Sequence, residues 1–236
     1  MNTSSDFETQ TTSSMTSPLQ LVLTTSLAQE AHDVVRHLGR VLDIQKDDHV
    51  LLIPGDGVLT ALTLVNEFGC RVSVLTGPHD EHTIQPADER IDLEAGSLTA
   101  LPFESATFDA VIVSIPVVTG LQRVARELSR VLNRSGRLGM VALSLYRDQV
   151  ADEAGAVIQQ SQGGGQIRPA AAYRAVLAEA GFTAFLSEDR RRELRRSAQA
   201  IYREHMLEPG ASHRETLGLL AAGGVSMTLI TAEKGF

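Results

Sequence analysis

Two short polar motifs in the first half of the sequence contain residue types that could do chemistry. The run His79-Asp80-Glu81-His82 places two imidazoles and two carboxylates within four residues, a ligand set that could bind a metal. No sustained helical pattern brings both rings to one face, so we favour a solvated loop and predict no metal site. The second motif, Gly55-Asp56-Gly57, could let a ligand approach the backbone closely while Asp56 attracts a positive group. A Gly-x-Gly pair is a weak signal, and a carboxylate at a helix N-terminus explains Asp56 equally well.

The strands and helices that position these residues are predicted by apolar runs that alternate with helical patterns. Continuous apolar or β-branched runs predict buried strands at 49–53, 71–75, 110–113 and 138–143, and helical spacing predicts helices at 23–42, 59–68 and 121–132. The alternation predicts an α/β, doubly wound parallel sheet with right-handed crossovers. Ligands of such sheets bind beyond the carboxyl ends of the strands, so the loops that follow the strands form the predicted site. Those loops begin after Ile53, Leu75, Val113 and Leu143.

The last third of the chain is organised differently. The predicted order is a helix at 171–180, a strand at 182–186, helices at 189–205 and 212–222, and a strand at 225–232. No crossover helix follows the last strand, which is typical of an antiparallel strand inserted into the sheet. Acids are mixed with arginines at helical spacing over 189–196, which favours an exposed, salt-bridged helix face.

Domain organisation follows from composition along the chain. Residues 1–18 are rich in Ser and Thr and cannot bury enough apolar surface to become ordered, so we predict a disordered tail. We predict a single domain over 19–236, with a helical insert at about 188–222 before the last strand.

Composition and charge exclude several classes of protein. The 236 residues are 43% hydrophobic, which suffices for one core, and the net charge of −8 argues against a general nucleic-acid binder. The one cysteine, Cys70, excludes an internal disulfide and a cysteine-rich metal centre, and it suits a reducing cytoplasm. No apolar run approaches the roughly 20 residues of a membrane span. We therefore expect a cytoplasmic protein that binds neither nucleic acid nor membrane.

Several runs, taken in order, resemble class I S-adenosylmethionine-dependent methyltransferases. They are Gly96–Phe103, Phe108–Val113, Glu127–Leu132 with Ser135-Gly136-Arg137, Ala180-Gly181-Phe182 and Leu229–Lys234. The resemblance covers roughly residues 30–234 and implies a Rossmann-like sheet of about seven strands whose last strand is antiparallel. It also implies methyl transfer from S-adenosylmethionine to a small molecule, without a metal. A protein partner or a homo-oligomer is compatible with it.

The resemblance further implies which positions would hold the cofactor. The implied contacts are Ile53, Gly55, Asp56, Gly57, Thr76, Ser97, Leu98 and Ser114. The family acid that helps hold the methionine moiety falls on Leu52, the acid that grips the ribose hydroxyls falls on Thr76, and the adenine aspartate falls on Ser97.

Neutral residues at these three positions have a calculable consequence. Three charged hydrogen bonds of about 1.5 to 3 kcal/mol each are missing, a loss of roughly 4 to 9 kcal/mol. That loss weakens a micromolar site to about millimolar or worse. Two other hypotheses therefore stay open. The protein could be a catalytically silent scaffold, regulator or partner subunit, or its more apolar cleft could hold a less charged ligand.

Few catalytic residues are required for methyl transfer. The reaction needs in-line positioning and exclusion of water, with a general base only where the nucleophile loses a proton. Candidates come from segments expected over the strand ends, and for each of them a surface or packing role competes. They are Tyr146, Arg147, Tyr173, His205 and His213, of which Tyr146, His205 and His213 are the candidates we retain.

Overall fold

A seven-stranded sheet with helices on both faces forms the described part of the molecule. The computed structural model describes residues 27–53, 58–77, 88–114, 120–145, 167–205, 220–221 and 225–235. The helices are α1 (Leu27–Val41), α2 (Val58–Phe68), α3 (Leu121–Val131), α4 (Ala170–Glu179) and α5 (Arg191–His205). The strands are β1 (His49–Ile53), β2 (Arg71–Thr76), β3 (Ile91–Ala95), β4 (Phe108–Val113), β5 (Leu132–Leu145), β6 (Phe182–Asp189) and β7 (Val225–Lys234).

The strand order confirms the predicted architecture. The strands lie in the order β3-β2-β1-β4-β5-β7-β6. Strands β1 to β5 pair in parallel, whereas β7 pairs antiparallel with both β5 and β6. The sheet is therefore α/β and doubly wound, with seven strands of which the last in the chain is antiparallel.

Two aliphatic layers cover the sheet, one on each face. Because successive side chains of a strand point to opposite faces, Leu52 packs with α1, α2 and α5, while Leu51 and Ile53 pack with α3 and α4. All three side chains are buried, as expected for a central strand with an unbroken apolar run. Tyr173, one of the catalytic candidates, is buried in the second layer and donates its hydroxyl to the Leu143 carbonyl at 2.9 Å. Its role is therefore packing.

Three differences from the sequence expectation have physical reasons. Strand β3 was not predicted, because its sequence Ile-Asp-Leu-Glu-Ala alternates and contains no apolar run. Strand β5 begins earlier, because its pairing with β4 shifts register between Phe108 and Ala110 and takes in an irregular stretch. Helix α5 begins at Arg191, since β6 continues to Asp189 and the Asp189 carboxylate accepts the N–H of the first helical residue, Arg191, at 2.8 Å.

Some predicted segments fall outside the described residues. The tail at 1–18 does so entirely, and of the helix predicted at 212–222 only Leu220 and Ala221 are described, both helical. In the described part of the chain, no helix is both long and apolar enough to span a membrane.

Candidate functional site

The carboxyl ends of β1 and β4 mark the centre of the candidate site. From β1 the chain builds β2 and β3 on one side and then crosses to β4 on the other, so the crossovers diverge between β1 and β4. At this point the Ser114 N–H donates to the Ile53 carbonyl at 2.8 Å, which extends the pairing of the two strands beyond Val113. Such a divergence opens the crevice in which doubly wound sheets bind ligands.

The end of β2 brings a hydroxyl to this edge. Thr76 is the last residue of β2, pairs with Ala95 of β3, and is partly exposed. Its carbonyl accepts the Gly96 N–H at 3.1 Å, so β2 and the loop after β3 remain joined at the edge. The position that the resemblance assigns to a ribose-binding acid is therefore at the strand tip, and it carries a neutral hydroxyl.

A pair of hydroxyl groups follows β3. Ser97 Oγ lies 3.0 Å from Thr99 Oγ1 and accepts the Thr99 N–H at 3.3 Å, and the Ser97 carbonyl accepts the Ala100 N–H at 3.0 Å. Leu98, between them, is partly buried and packs against the α3 side of the core. The turn thus presents hydroxyl groups beside an apolar side chain.

Close packing holds this turn against β2. A Cβ on Gly96 would come within 2.7 Å of Pro102 Cδ and 3.1 Å of Leu75 Cδ1, so only glycine allows the approach. Ser97 and Leu98 are placed by that contact, because they follow Gly96 directly.

An ion pair on α3 fixes the rest of the loop, and sequence reasoning missed its role. Arg130 donates to the carbonyls of Phe103 at 2.7 Å and Leu101 at 3.1 Å, and Glu127 accepts the Leu101 N–H at 2.8 Å. The hydrogen bond from Arg130 holds the pKa of the Glu127 carboxyl below its ordinary value, so the pair stays charged at neutral pH. The available signal was the spacing of three between the two residues in Glu127-Leu-Ser-Arg130. These are positioning residues for the loop that carries Ser97.

Leu52 belongs to the core. It is fully buried in the layer formed with α1, α2 and α5. The position assigned to an acid that holds the methionine moiety is therefore filled by an apolar side chain that packs inward.

The other predicted residues divide into described and undescribed ones. Gly55, Asp56, Gly57, Tyr146 and His213 lie outside the described residues, as do Arg147 and the run from His79 to His82. His205 is the last residue of α5, and its side chain is not described. Among the described residues, no group of three or more His, Cys, Asp or Glu side chains could hold a metal ion.

The described site residues fit an adenosyl ligand in hydrogen-bonding capacity but not in charge. Thr76, Ser97 and Ser114 supply hydroxyls, and Ile53 and Leu98 supply apolar surface. The hydroxyl of a Ser or Thr both donates and accepts, so it can meet ribose hydroxyls or an adenine amino group. None of the five is ionisable, so the contacts they offer are the weaker, neutral kind.

A known protein family matches the part of the chain that contains several of the candidate site residues. Residues 68–140 match the family model described as methyltransferase domain. The match runs from the end of α2 to β5 and includes Thr76, Ser97 and Ser114. It leaves out β1 and the glycine-containing loop after it. No curated protein sequence matches the chain.

Solved structures match over most of the chain. A protein from Galdieria sulphuraria with the provisional name sarcosine dimethylglycine methyltransferase has a TM-score of 0.73 at 16% identity, over 88% of this chain and 86% of its own. Geranyl diphosphate methyltransferase, in complex with S-adenosylmethionine, has a TM-score of 0.67 at 16% identity, over 85% of each chain. The [4+2]-cyclase SpnF has a TM-score of 0.65 at 17% identity, over 88% of this chain and 82% of its own.

These similarities identify the class of fold. The chain has the fold of class I S-adenosylmethionine-dependent methyltransferases, which confirms the resemblance seen in the sequence. Within that fold, the segment 68–140 is the part that matches the methyltransferase domain family.

Proposed function

We propose that the protein is an S-adenosylmethionine-dependent methyltransferase that acts on a small molecule and binds its cofactor with low affinity. The observation that carries the proposal is the position of Thr76 and Ser97. Thr76 ends β2 and Ser97 follows the neighbouring strand β3 at the edge where the fold binds ligands, and both lie in the segment that matches the methyltransferase domain. Relatives in fold act on small molecules according to their names, among them geranyl diphosphate.

The chain's own residues would contribute binding and positioning. The Thr76 hydroxyl would bind the ribose hydroxyls, the Ser97 hydroxyl would accept a hydrogen bond from the adenine amino group, and Leu98 would pack on the adenine ring. When bound, S-adenosylmethionine supplies an electrophilic methyl group on a sulfonium. The Glu127–Arg130 pair would keep the Ser97 loop in place, so that less ordering entropy is lost on binding. A small-molecule substrate without a metal, and a cytoplasmic location, belong to this proposal.

The buried Leu52 and the neutral Thr76 favour a second candidate function. A chain without the charged contacts could use the fold as a catalytically silent scaffold, regulator or partner subunit, alone or as a homo-oligomer. The fold does not dictate methyl transfer, since the [4+2]-cyclase SpnF is named for a different reaction.

Calorimetric titration with S-adenosylmethionine and S-adenosylhomocysteine tests the proposal. We expect the unmodified protein to bind with a Kd of about 1 mM, because neutral contacts replace three charged ones. Thr76→Asp should bind about 10 to 100 times more tightly, since one charged hydrogen bond contributes about 1.5 to 3 kcal/mol. The matched control is Thr76→Asn, because Asn has nearly the same size as Asp but carries no charge. Its Kd should stay within about threefold of that of the unmodified protein.

The outcomes separate the two candidates. Absence of heat with both the unmodified protein and Thr76→Asp removes the methyltransferase and leaves the silent scaffold. Transfer of a labelled methyl group to any member of a panel of small amines, carboxylic acids and phenols removes the silent scaffold.

A further inference from the structure

The outward face of α5 carries a line of arginines. Arg192, Arg195, Arg196 and Arg203 are all exposed. At 3.6 residues per turn they lie on one side of the helix and extend over about 16 Å. The opposite side of α5 is buried against the core through Leu194 and Ala198. We refer to the four residues as the arginine stripe.

The acids near α5 whose side chains the structure describes pair with residues outside the arginine stripe. Glu188 binds His37 at 2.8 Å and Arg190 at 3.0 Å, and Glu193 lies 3.5 Å from Arg190. No stripe arginine forms an ion pair or a side-chain hydrogen bond with another residue that the structure describes. The structure bears out part of the salt-bridged face predicted over 189–196, because Arg190 pairs with Glu193 one turn on, while the stripe arginines beyond that pair stay exposed.

Asp189 is also engaged at that base. Its Oδ1 accepts the Arg191 N–H at 2.8 Å and the Ser226 hydroxyl. The carboxylates that precede and begin α5 thus fix the helix to β7 and α1, and the outward charge remains positive.

The fold itself does not require this helix. Strands β6 and β7 are antiparallel neighbours, and two residues suffice to join such strands. Here β6 ends at Asp189 and β7 begins at Val225, so 35 residues separate them. Like charges three and four residues apart destabilise a helix, as Arg192 does with Arg195 and Arg196. The stripe is a local exception in a chain whose net charge is −8.

We propose that the arginine stripe is a docking surface for an acidic protein segment. Its length and single-helix width match one helical segment with carboxylates spaced three and four residues apart. A membrane surface fits less well, because the apolar side of α5 is already buried and cannot enter a bilayer. A long nucleic acid fits less well because the rest of the acidic chain repels it.

The stripe begins near the edge of the sheet that carries the candidate site, although β6 is the outermost strand and lies three positions from β4. Strand β6 is antiparallel to β7, and β7 is antiparallel to β5, so β6 ends at the same edge as the other parallel strands. Arg192 follows that end by three residues. A docked segment would therefore lie next to the carboxyl edge of the sheet.

Fluorescence anisotropy with a labelled acidic peptide tests the docking surface. The probe is a helical peptide of about 15 residues with glutamates spaced three and four apart. We expect binding that weakens as salt rises, and a loss of at least about tenfold in affinity for Arg195→Glu/Arg196→Glu. The matched control is Arg126→Glu/Arg134→Glu, which makes the same change in charge at two exposed arginines outside α5. It should change affinity by less than about twofold.

Companion measurements make the result decisive. Circular dichroism and thermal melting establish that both Glu double variants fold. Arg195→Gln/Arg196→Gln removes the two charges without reversing them, so it should lose less affinity for the peptide than Arg195→Glu/Arg196→Glu. Equal losses in the two Glu variants would overturn the proposal, because they would reflect net charge alone. Tighter binding of the same stripe to a single-stranded oligonucleotide or to phosphatidylserine vesicles would also overturn it, in favour of those partners.

Discussion

His49 is a partly buried imidazole at the amino end of β1, away from the candidate site. Its Nε2 lies 2.8 Å from Ser73 Oγ, and its ring centroid is 4.6 Å from that of Phe108. The backbone N–H of His49 donates to Asp109 Oδ2 at 2.8 Å. Burial holds the pKa of the imidazole below its ordinary value, and Arg71 acts in the same direction.

This lowered pKa predicts how stability depends on pH. The unfolded chain binds a proton at His49 at about pH 6.5, whereas the folded protein does so only at lower pH. Between the two pKa values the unfolded state holds more protons, so the free energy of unfolding falls as the pH decreases. His49→Gln should reduce this fall, by at most about 1.4 kcal/mol per pH unit for one proton. Urea unfolding of both proteins at pH values of about 5 to 8 measures it, and identical pH profiles would contradict the assignment.

For single residues, the sequence predicted the place of a residue along its strand better than its contacts with residues far away in the chain. Thr76 lies at the tip of β2 as expected, because the apolar run that ends there determines where the strand ends. The burial of Leu52 could also be inferred from its strand. The bracing of the Ser97 loop by Glu127 and Arg130 could not, because it depends on the approach of α3 to a loop more than 20 residues earlier in the chain.

Between α4 and β6 the turn depends on one glycine. Gly181 has φ +93° and its N–H donates to the Ala178 carbonyl at 3.0 Å. The nearest atom to a Cβ added there would be Ser129 Oγ, at 3.9 Å, so a side chain meets no crowding. The need for glycine is therefore conformational.

We expect Gly181→Ala to lower the free energy of unfolding by about 1 to 2 kcal/mol, the cost of a left-handed backbone for an L-residue. Gly181→Asn should cost less, because Asn tolerates this region better. Urea unfolding compares them. Equal losses for Ala and Asn would mean that the side chain, and not the backbone angle, is responsible.

Among the strands, the one whose apolar run has sharp boundaries was predicted most accurately. Strand β1 has the predicted bounds, His49–Ile53, because a polar segment precedes it and Pro54 follows it. Strand β3 was missed because only β2 pairs with it, so half of its short sequence can remain polar. An edge strand of this kind becomes recognisable only once its neighbour is known.

The whole molecule depends on two aliphatic layers that share one sheet. Leu51 and Leu52 are adjacent in β1 and fully buried in opposite layers. Leu51→Ala and Leu52→Ala should each lower the free energy of unfolding by about 2 to 5 kcal/mol. Leu52→Asp should cost more than Leu52→Ala, since it also leaves a carboxylate in an apolar layer.

Chemical denaturation of the three variants measures these differences. A stable Leu52→Asp protein would show that the position faces the cleft, and it would then serve as a second test of cofactor binding beside Thr76→Asp. If Leu52→Asp is strongly destabilised, the variant reports only on the packing of the core.

The buried thiol of Cys70 has a practical consequence. It is the one cysteine of the chain, it lies fully buried 3.7 Å from the Leu64 carbonyl, and burial raises its pKa to about 11. Maleimides and other electrophilic dyes react with thiolates, which this residue hardly forms at neutral pH. A single engineered surface cysteine would thus accept a spin label or fluorophore without removal of the native one, so distances and motions could be followed in an otherwise unaltered chain.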